Sequence, residues 1–256
     1  MTARKDLFSR ALALDPERLH FAAHSHHLWP DVSEAAQARA WEEANRFADR
    51  KWDMLFETVV PEARAHVAAE LNLPSSDTVV FSPNTHDFLL RLFSGIERRP
   101  VRILTSDGEF HSFRRQAERW VEAGLATVDR VPLEPFDSFA DRFLTAAGAG
   151  EHDWIVVSQV FFKTGQVFDR LEDLAALADP AGPWVLIDGY HGFMAVETDL
   201  GAVAVLCRGR LQIRHVGRGC GPAPRAAGIL RAASGDRLVR RVRGPDRAAR
   251  RGEIRP

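Results

Sequence analysis

The sequence predicts an α/β fold, with a mostly parallel sheet flanked by helices. Three observations carry this. From residue 78 onward, short apolar strands alternate with helix-spaced apolar positions, the pattern of repeated βαβ units. One apolar strand, Trp184–Ile187, runs directly into an acid, Asp188. The polar residues then collect in the loops that follow the strands, which is where open α/β sheets bind their ligands.

Composition narrows the class. Of the 256 residues 45% are apolar, enough for a sizeable core in one large domain or two small ones. No run of about 18 apolar residues marks a membrane span. The N-terminus, MTARKDLFSR, is charged and lacks the apolar core of a signal peptide, so a cytoplasmic protein is expected. Two cysteines, Cys207 and Cys220, do not make a disulfide framework. The overall charge of −1 conceals a split. Residues 1–205 carry 20 basic and 32 acidic side chains, whereas residues 206–256 carry 14 arginines, no lysine and three acids. A basic tail of this kind could bind nucleic acid through phosphate contacts. It has almost no aromatic residues on which bases would stack, which counts against that partner.

The organisation expected is a helical segment over 1–75, an α/β domain over 76–204 and an irregular, disordered basic tail over 205–256. The segment His20–Pro30, HFAAHSHHLWP, is rich in histidine. Its spacing alone is a weak metal signal, because no Cys or acid accompanies it at ligand spacing. His24 and His26 are therefore read as substrate-facing. Ser33 is a plausible N-cap for a helix running to Phe56, with Trp41, Ala44, Ala48, Trp52 and Leu55 forming one apolar stripe packed into the core. A second helix is expected over Glu62–Leu71. Strands follow at Thr78–Phe81, Val101–Thr105, Thr127–Val131, Trp154–Gln159 and Trp184–Ile187. Helices lie between them at Thr85–Ile96 (Leu89, Leu90 and Phe93 inward), Ser112–Ala123 (Phe113, Ala117 and Trp120 or Val121 inward), Phe136–Ala147 and Leu171–Ala178.

Four loops at the strand ends hold the candidate chemistry. Ser82–Asp87, SPNTHD, leads into a helix N-terminus, where unpaired backbone N–H groups and the helix dipole favour an anion such as phosphate. Ser106–Ser112 offers Phe110 and His111. Phe161–Asp169 contains a TGQ turn, and the last loop carries Asp188 and His191.

In order and spacing these motifs resemble fold type I enzymes that use pyridoxal 5'-phosphate, in the class V aminotransferase superfamily, and most of all kynureninase-like proteins. The resemblance runs from about His20 to about Ala204. It implies that Asp188, within D-x-x-H, pairs with the cofactor's ring nitrogen, keeping it protonated so that the ring can act as an electron sink. It also implies that His191 lies by the ring, Phe110 stacks on it, and Asn84 and Thr85 hold the phosphate. Gln166 of Thr164–Gly165–Gln166 and the HSHHLWP segment, with His24 and His26, would lie on the substrate side. That segment departs from the N-S-L-G-x-x-P usual in the family, which leaves the substrate open. The implied activity is hydrolysis of a β-ketoacyl amino acid, with transamination or a cysteine-desulfurase-like reaction as the alternative. The absence of Cys in residues 1–205 counts against desulfuration by a mobile thiol. The resemblance further implies a homodimeric parent with a small-molecule amino-acid substrate.

The family's Schiff-base lysine is expected about 20–30 residues after the acid. The last lysine of this chain is Lys163, so no amine stands there for covalent attachment. The tail reads as a shifted frame of a GC-rich gene. Gln212 followed by Ile213 restricts the codon read one base later to Lys or Arg, and the surrounding codons permit the tripeptide YKY at that place. As written, the chain is expected to have little or no activity of this type, while keeping noncovalent affinity for the cofactor.

Overall fold

The computed structural model describes residues 5–21, 26–179, 182–193, 195–196 and 206–207. The tail expected over 205–256 therefore lies outside the described residues, except for the backbone of two.

The helical N-terminal region begins with α1 (Ser9–Leu14) and α2 (Val32–Phe47). Asp31 ties these two together. Its carboxylate accepts from the backbone N–H groups of Ser9 and Arg10 and from the Ser9 hydroxyl. The single helix expected to reach Phe56 breaks at Ala48, whose φ of +48° leaves the right-handed helical region. A short 3-10 turn, α3 (Lys51–Met54), a π turn over Leu55–Val59 and α4 (Val60–Glu70) complete the run, with Pro61 directly after the π turn. The tryptophan stripe expected in the core is on the surface instead. Trp41 is 74% exposed and Trp52 51%, and Trp52 stacks on Phe56, itself 62% exposed. Periodicity identifies a face of a helix; it does not say whether anything covers that face.

The strand expected at Thr78–Phe81 is reduced to a single bridge at Val79. Ser75 competes for the backbone here. Its hydroxyl accepts from the Asp77 N–H and its carbonyl accepts from the Thr78 hydroxyl, winding Ser76–Thr78 into a 3-10 turn. Helix α5 (Thr85–Gly95) follows. Leu89 and Phe93, one turn apart, face the core, while Leu90, about 100° further round, is 41% exposed.

The sheet is built from β1 (Val101–Ser106), β2 (Ala126–Val131), β3 (Trp154–Ser158), β4 (Trp184–Asp188) and the short β5 (Leu206–Cys207). Their order is β2-β1-β3-β4-β5, and every pairing is parallel. Helices α6 (His111–Glu122), α7 (Phe139–Gly148) and α8 (Leu171–Ala175) connect them. Alternate residues on each strand enter opposite layers, because strand side chains repeat every two residues. Val101, Ile103, Trp154, Val156, Trp184 and Leu186 pack with Leu89 and Phe93 of α5 and with Phe113, Ala117 and Trp120 of α6. Leu104, Ile155, Val157, Val185 and Ile187 pack with Phe139 and Phe143 of α7 and Leu171 and Leu174 of α8. Each such side chain, fully buried, contributes roughly 1.5–3 kcal/mol. In the first layer the Phe93 and Trp120 rings stack at 3.9 Å between centroids. In the second, Phe161 and Phe168 meet Phe139 edge-on. Among the described residues no helix is long and apolar enough to cross a membrane.

Candidate functional site

The strand order reverses direction between β1 and β3, since β2 lies on the outer side of β1. In open α/β sheets this switch point opens a crevice at the carboxyl ends of the strands. The loops after β1, β3 and β4 converge there. Phe110, after β1, meets Phe162, after β3, edge-on with centroids 5.0 Å apart. His191, after β4, lies 6.2 Å from Phe110 and 5.5 Å from Phe162. Tyr190 packs edge-on against His191 at 4.9 Å, and His111 lies 4.0 Å from Phe110.

The loop after β3 reaches this place because it is a hairpin held from below. Phe161 is fully buried, so its neighbour Phe162 points outward and is 47% exposed. Val160 bridges Val167, and the turn closes at Gly165, whose φ of +72° suits glycine. The Thr164 hydroxyl accepts from the Gln166 N–H at 3.3 Å. Among the described residues the Gln166 side-chain Oε1 is buried without a hydrogen-bond partner.

Asp188 ends β4 directly beside Ser158 of β3. Its Oδ1 accepts from the Tyr190 N–H at 3.0 Å, which fixes the carboxylate over the turn. Its backbone carbonyl accepts from the Gln159 N–H at 3.0 Å. Gly192 then passes so close to Gln159 that a Cβ would fall 2.1 Å from Oε1. Behind Asp188 lies Glu109, a buried carboxyl. It accepts from the Ser106 hydroxyl at 2.6 Å, the Ser158 hydroxyl at 2.6 Å and the Ser158 N–H at 3.2 Å. Burial pushes its carboxyl up to about 7, against the pull of the two serines; the charge of Asp188 adds to the rise.

At the start of α5, Asn84 is the N-cap and its Oδ1 accepts from the Asp87 N–H at 2.9 Å. Thr85 is the first helical residue, so its N–H and that of His86 have no partner within the helix. The Asp87 carboxylate is turned to the Arg91 guanidinium at 2.7 Å and to the Ser82 hydroxyl, which offsets its negative charge at this helix end.

The structure thus brings Phe110, Asp188 and His191 to one edge, as the sequence predicts, and puts Asn84 and Thr85 at a helix start. His26 is exposed, and its neighbour His27 tilts against Phe8 at 5.2 Å. His24 lies outside the described residues. Among the described residues no three His, Cys, Asp or Glu side chains converge as a metal site. Sequence reasoning passed over Glu109, Ser158, Phe162 and Tyr190. Phe162 was findable, since in a Phe-Phe pair beyond a strand only one ring can face the core. Glu109 left no signal, because a Glu in a polar loop reads as solvated.

Chemically, the edge offers a carboxylate that can hold a cationic N–H and ring faces that can take a flat aromatic, and the start of α5 favours an anion.

No family model and no curated protein matches the chain. Solved structures do. A cystine C–S lyase, C-DES, in complex with its reaction product cysteine persulfide, superposes with a TM-score of 0.68 at 16% identity, over 88% of this chain and 60% of that one. A cysteine desulfurase from Thermococcus onnurineus NA1 superposes with a TM-score of 0.57 at 17% identity, over 94% and 72%. The histidinol-phosphate aminotransferase of Sinorhizobium meliloti, in complex with pyridoxal 5'-phosphate, gives 0.53 at 13%, over 77% and 55%. The chain therefore spans about 60% of the length of C-DES. What is shared is the fold: the mostly parallel, helix-flanked sheet of the large domain of fold type I enzymes.

Proposed function

We propose that this chain is the cofactor-binding large domain of a pyridoxal 5'-phosphate enzyme that acts on a sulfur-bearing amino acid, in the manner of cysteine desulfurases and C–S lyases. The carrying observation is the Asp188 carboxylate at the end of β4, set among the loops that bring Phe110, Phe162 and His191 together. The side chains fit the cofactor. Asp188, steadied by the Tyr190 N–H, would hold a protonated ring nitrogen. Phe110 or His191 would cover a face of the ring, and the N-terminus of α5, with Asn84 and Thr85, would take the phosphate. When bound, the cofactor supplies an electron sink for negative charge at the α-carbon of an amino acid. The chain's own share is to bind the ring, keep its nitrogen protonated and screen one face from water.

Of the reactions that the sequence left open, the neighbouring structures favour the desulfurase-like alternative over kynureninase-like hydrolysis. Residues 1–205 contain no cysteine. Elimination from an amino acid whose β-carbon carries a leaving sulfur needs no protein thiol: a base takes the α-proton, the Cβ–S bond breaks, and the sulfur leaves with the electron pair; no lysine follows Asp188 in this chain, so its own share stops at holding the cofactor. Transamination stands beside it on the aminotransferase likeness.

The test is equilibrium binding of pyridoxal 5'-phosphate to the purified full chain, with Asp188→Asn and Phe110→Ala alongside. Saturable binding weakened about tenfold or more by each substitution is expected, the scale of one lost charged or stacking contact. Binding unchanged by both substitutions would refute the assignment of the site.

A further inference from the structure

Among the described residues the Glu109 carboxyl is the buried acid at this edge that the proposed function does not use. It sits at the switch point itself, bonded to Ser106 at the end of β1 and to Ser158 at the end of β3. The Ser106 hydroxyl in turn accepts from the Gly108 N–H at 3.1 Å, so the loop that delivers Phe110 is closed around this acid. Ser158 is the ladder partner of Asp188, and the Asp188 charge reaches Glu109. Two carboxyls that share one site cannot both ionise without cost unless a cation balances them. Of the other titratable side chains on these loops, Lys163 and Asp169 are exposed to solvent. Asp107 accepts from the Leu133 N–H at 2.7 Å, while His111 and His191 belong to the ring cluster.

We propose that Glu109 is a positioning residue for the Asp188 site: it clamps the ends of β1 and β3, and it gives up its proton when a cationic ring engages Asp188. This rests on the reading of Asp188 as the partner of a protonated ring nitrogen. With the ring in place, the added positive charge makes the ionised Glu109 affordable, and its three donors then face a full carboxylate. Because coupling is reciprocal, the ionised Glu109 in turn makes the ring proton harder to lose. Glu109 touches neither ring nor substrate and acts only through Asp188.

The experiment is calorimetric binding of pyridoxal 5'-phosphate to the full chain near neutral pH, in two buffers of different ionisation enthalpy. The comparison yields the number of protons released. Wild type should release about half a proton more than Glu109→Gln, because a carboxyl held at about 7 is already half ionised near neutral pH, and Glu109→Asp should restore part of that difference. Equal release from wild type and Glu109→Gln overturns the proposal. Asp188→Asn separates the two readings. If it binds as tightly as wild type, the role of Asp188 fails and this inference with it; if it binds weakly while wild type and Glu109→Gln release alike, only the role of Glu109 fails. Should Glu109→Gln not fold, infrared difference spectra of the wild type serve. Loss of a buried protonated-carboxyl band on adding the cofactor supports the proposal, and an unchanged band overturns it.

Discussion

Replacing Glu109 by Gln should change how stability depends on pH, even with no cofactor present. In the folded chain burial holds this carboxyl at about 7, while its ordinary value is 4.5. Between those two values the folded state keeps a proton that the unfolded state has lost. Stability therefore falls as pH rises through that window, and the contribution is fully present only below it. A gap of roughly 2.5 pH units corresponds to about 3 kcal/mol. That is a large share of the 5–15 kcal/mol typical of a whole domain. Gln is close in size and can still accept from the Ser106 hydroxyl; the Ser158 hydroxyl must turn to accept from its amide. The assay is urea unfolding of both proteins at a series of pH values. The wild type should lose about 3 kcal/mol relative to Glu109→Gln on going from below the window to above it. A difference that stays flat across the window would mean that Glu109 does not carry its proton in the fold. The charge coupling to Asp188 would then have no basis.

Gly192→Ala should destabilise the chain by about 1–3 kcal/mol, the range for a forced contact in a packed site, because its Cβ would lie 2.1 Å from Oε1 and 2.6 Å from Cδ of the buried Gln159. Gln159→Ala in the same chain should restore part of that loss in a double-mutant cycle by thermal unfolding; a fully additive result would show that the two do not meet. Trp41→Gln should shift stability by no more than about 0.5 kcal/mol, since the side chain is 74% exposed, and a loss of several kcal/mol would mean that the stripe is covered after all. Sequencing the gene across the codons for residues 195–220 should find a base gained or lost that restores a lysine near Gln212; an unchanged sequence would leave the arginine-rich tail as the chain's own.

Much of the fold is legible along the chain because a parallel sheet forces its signals on the sequence. β1, β3 and β4 must be apolar on both faces, so ILTS, WIVVS and WVLID stand out, and the helices between them show their inward positions, such as Phe113, Ala117 and Trp120. The strand ends follow from this, and with them Asp188 and Phe110. The N-terminal region is different. Its helices have a clear stripe, yet Trp41 and Trp52 face outward, because a stripe says nothing of its partner. At Thr78 local bonds to Ser75, from the Thr78 hydroxyl to its carbonyl and from the Asp77 N–H to its hydroxyl, outbid the strand ladder, and propensity does not register them.

The sequence by itself determined the class of fold, four of its strands, and which acid and which aromatic ring follow strand ends, since alternation and burial are written in residue type. Only the tertiary structure decided that β1 and β3 are neighbours, and hence that Ser106 and Ser158, 52 positions apart, close on Glu109. The reason is physical. Strand order is set by how the helices pack on the two faces, and the proton affinity of a carboxyl is set by what surrounds it in space; neither is carried by its neighbours along the chain.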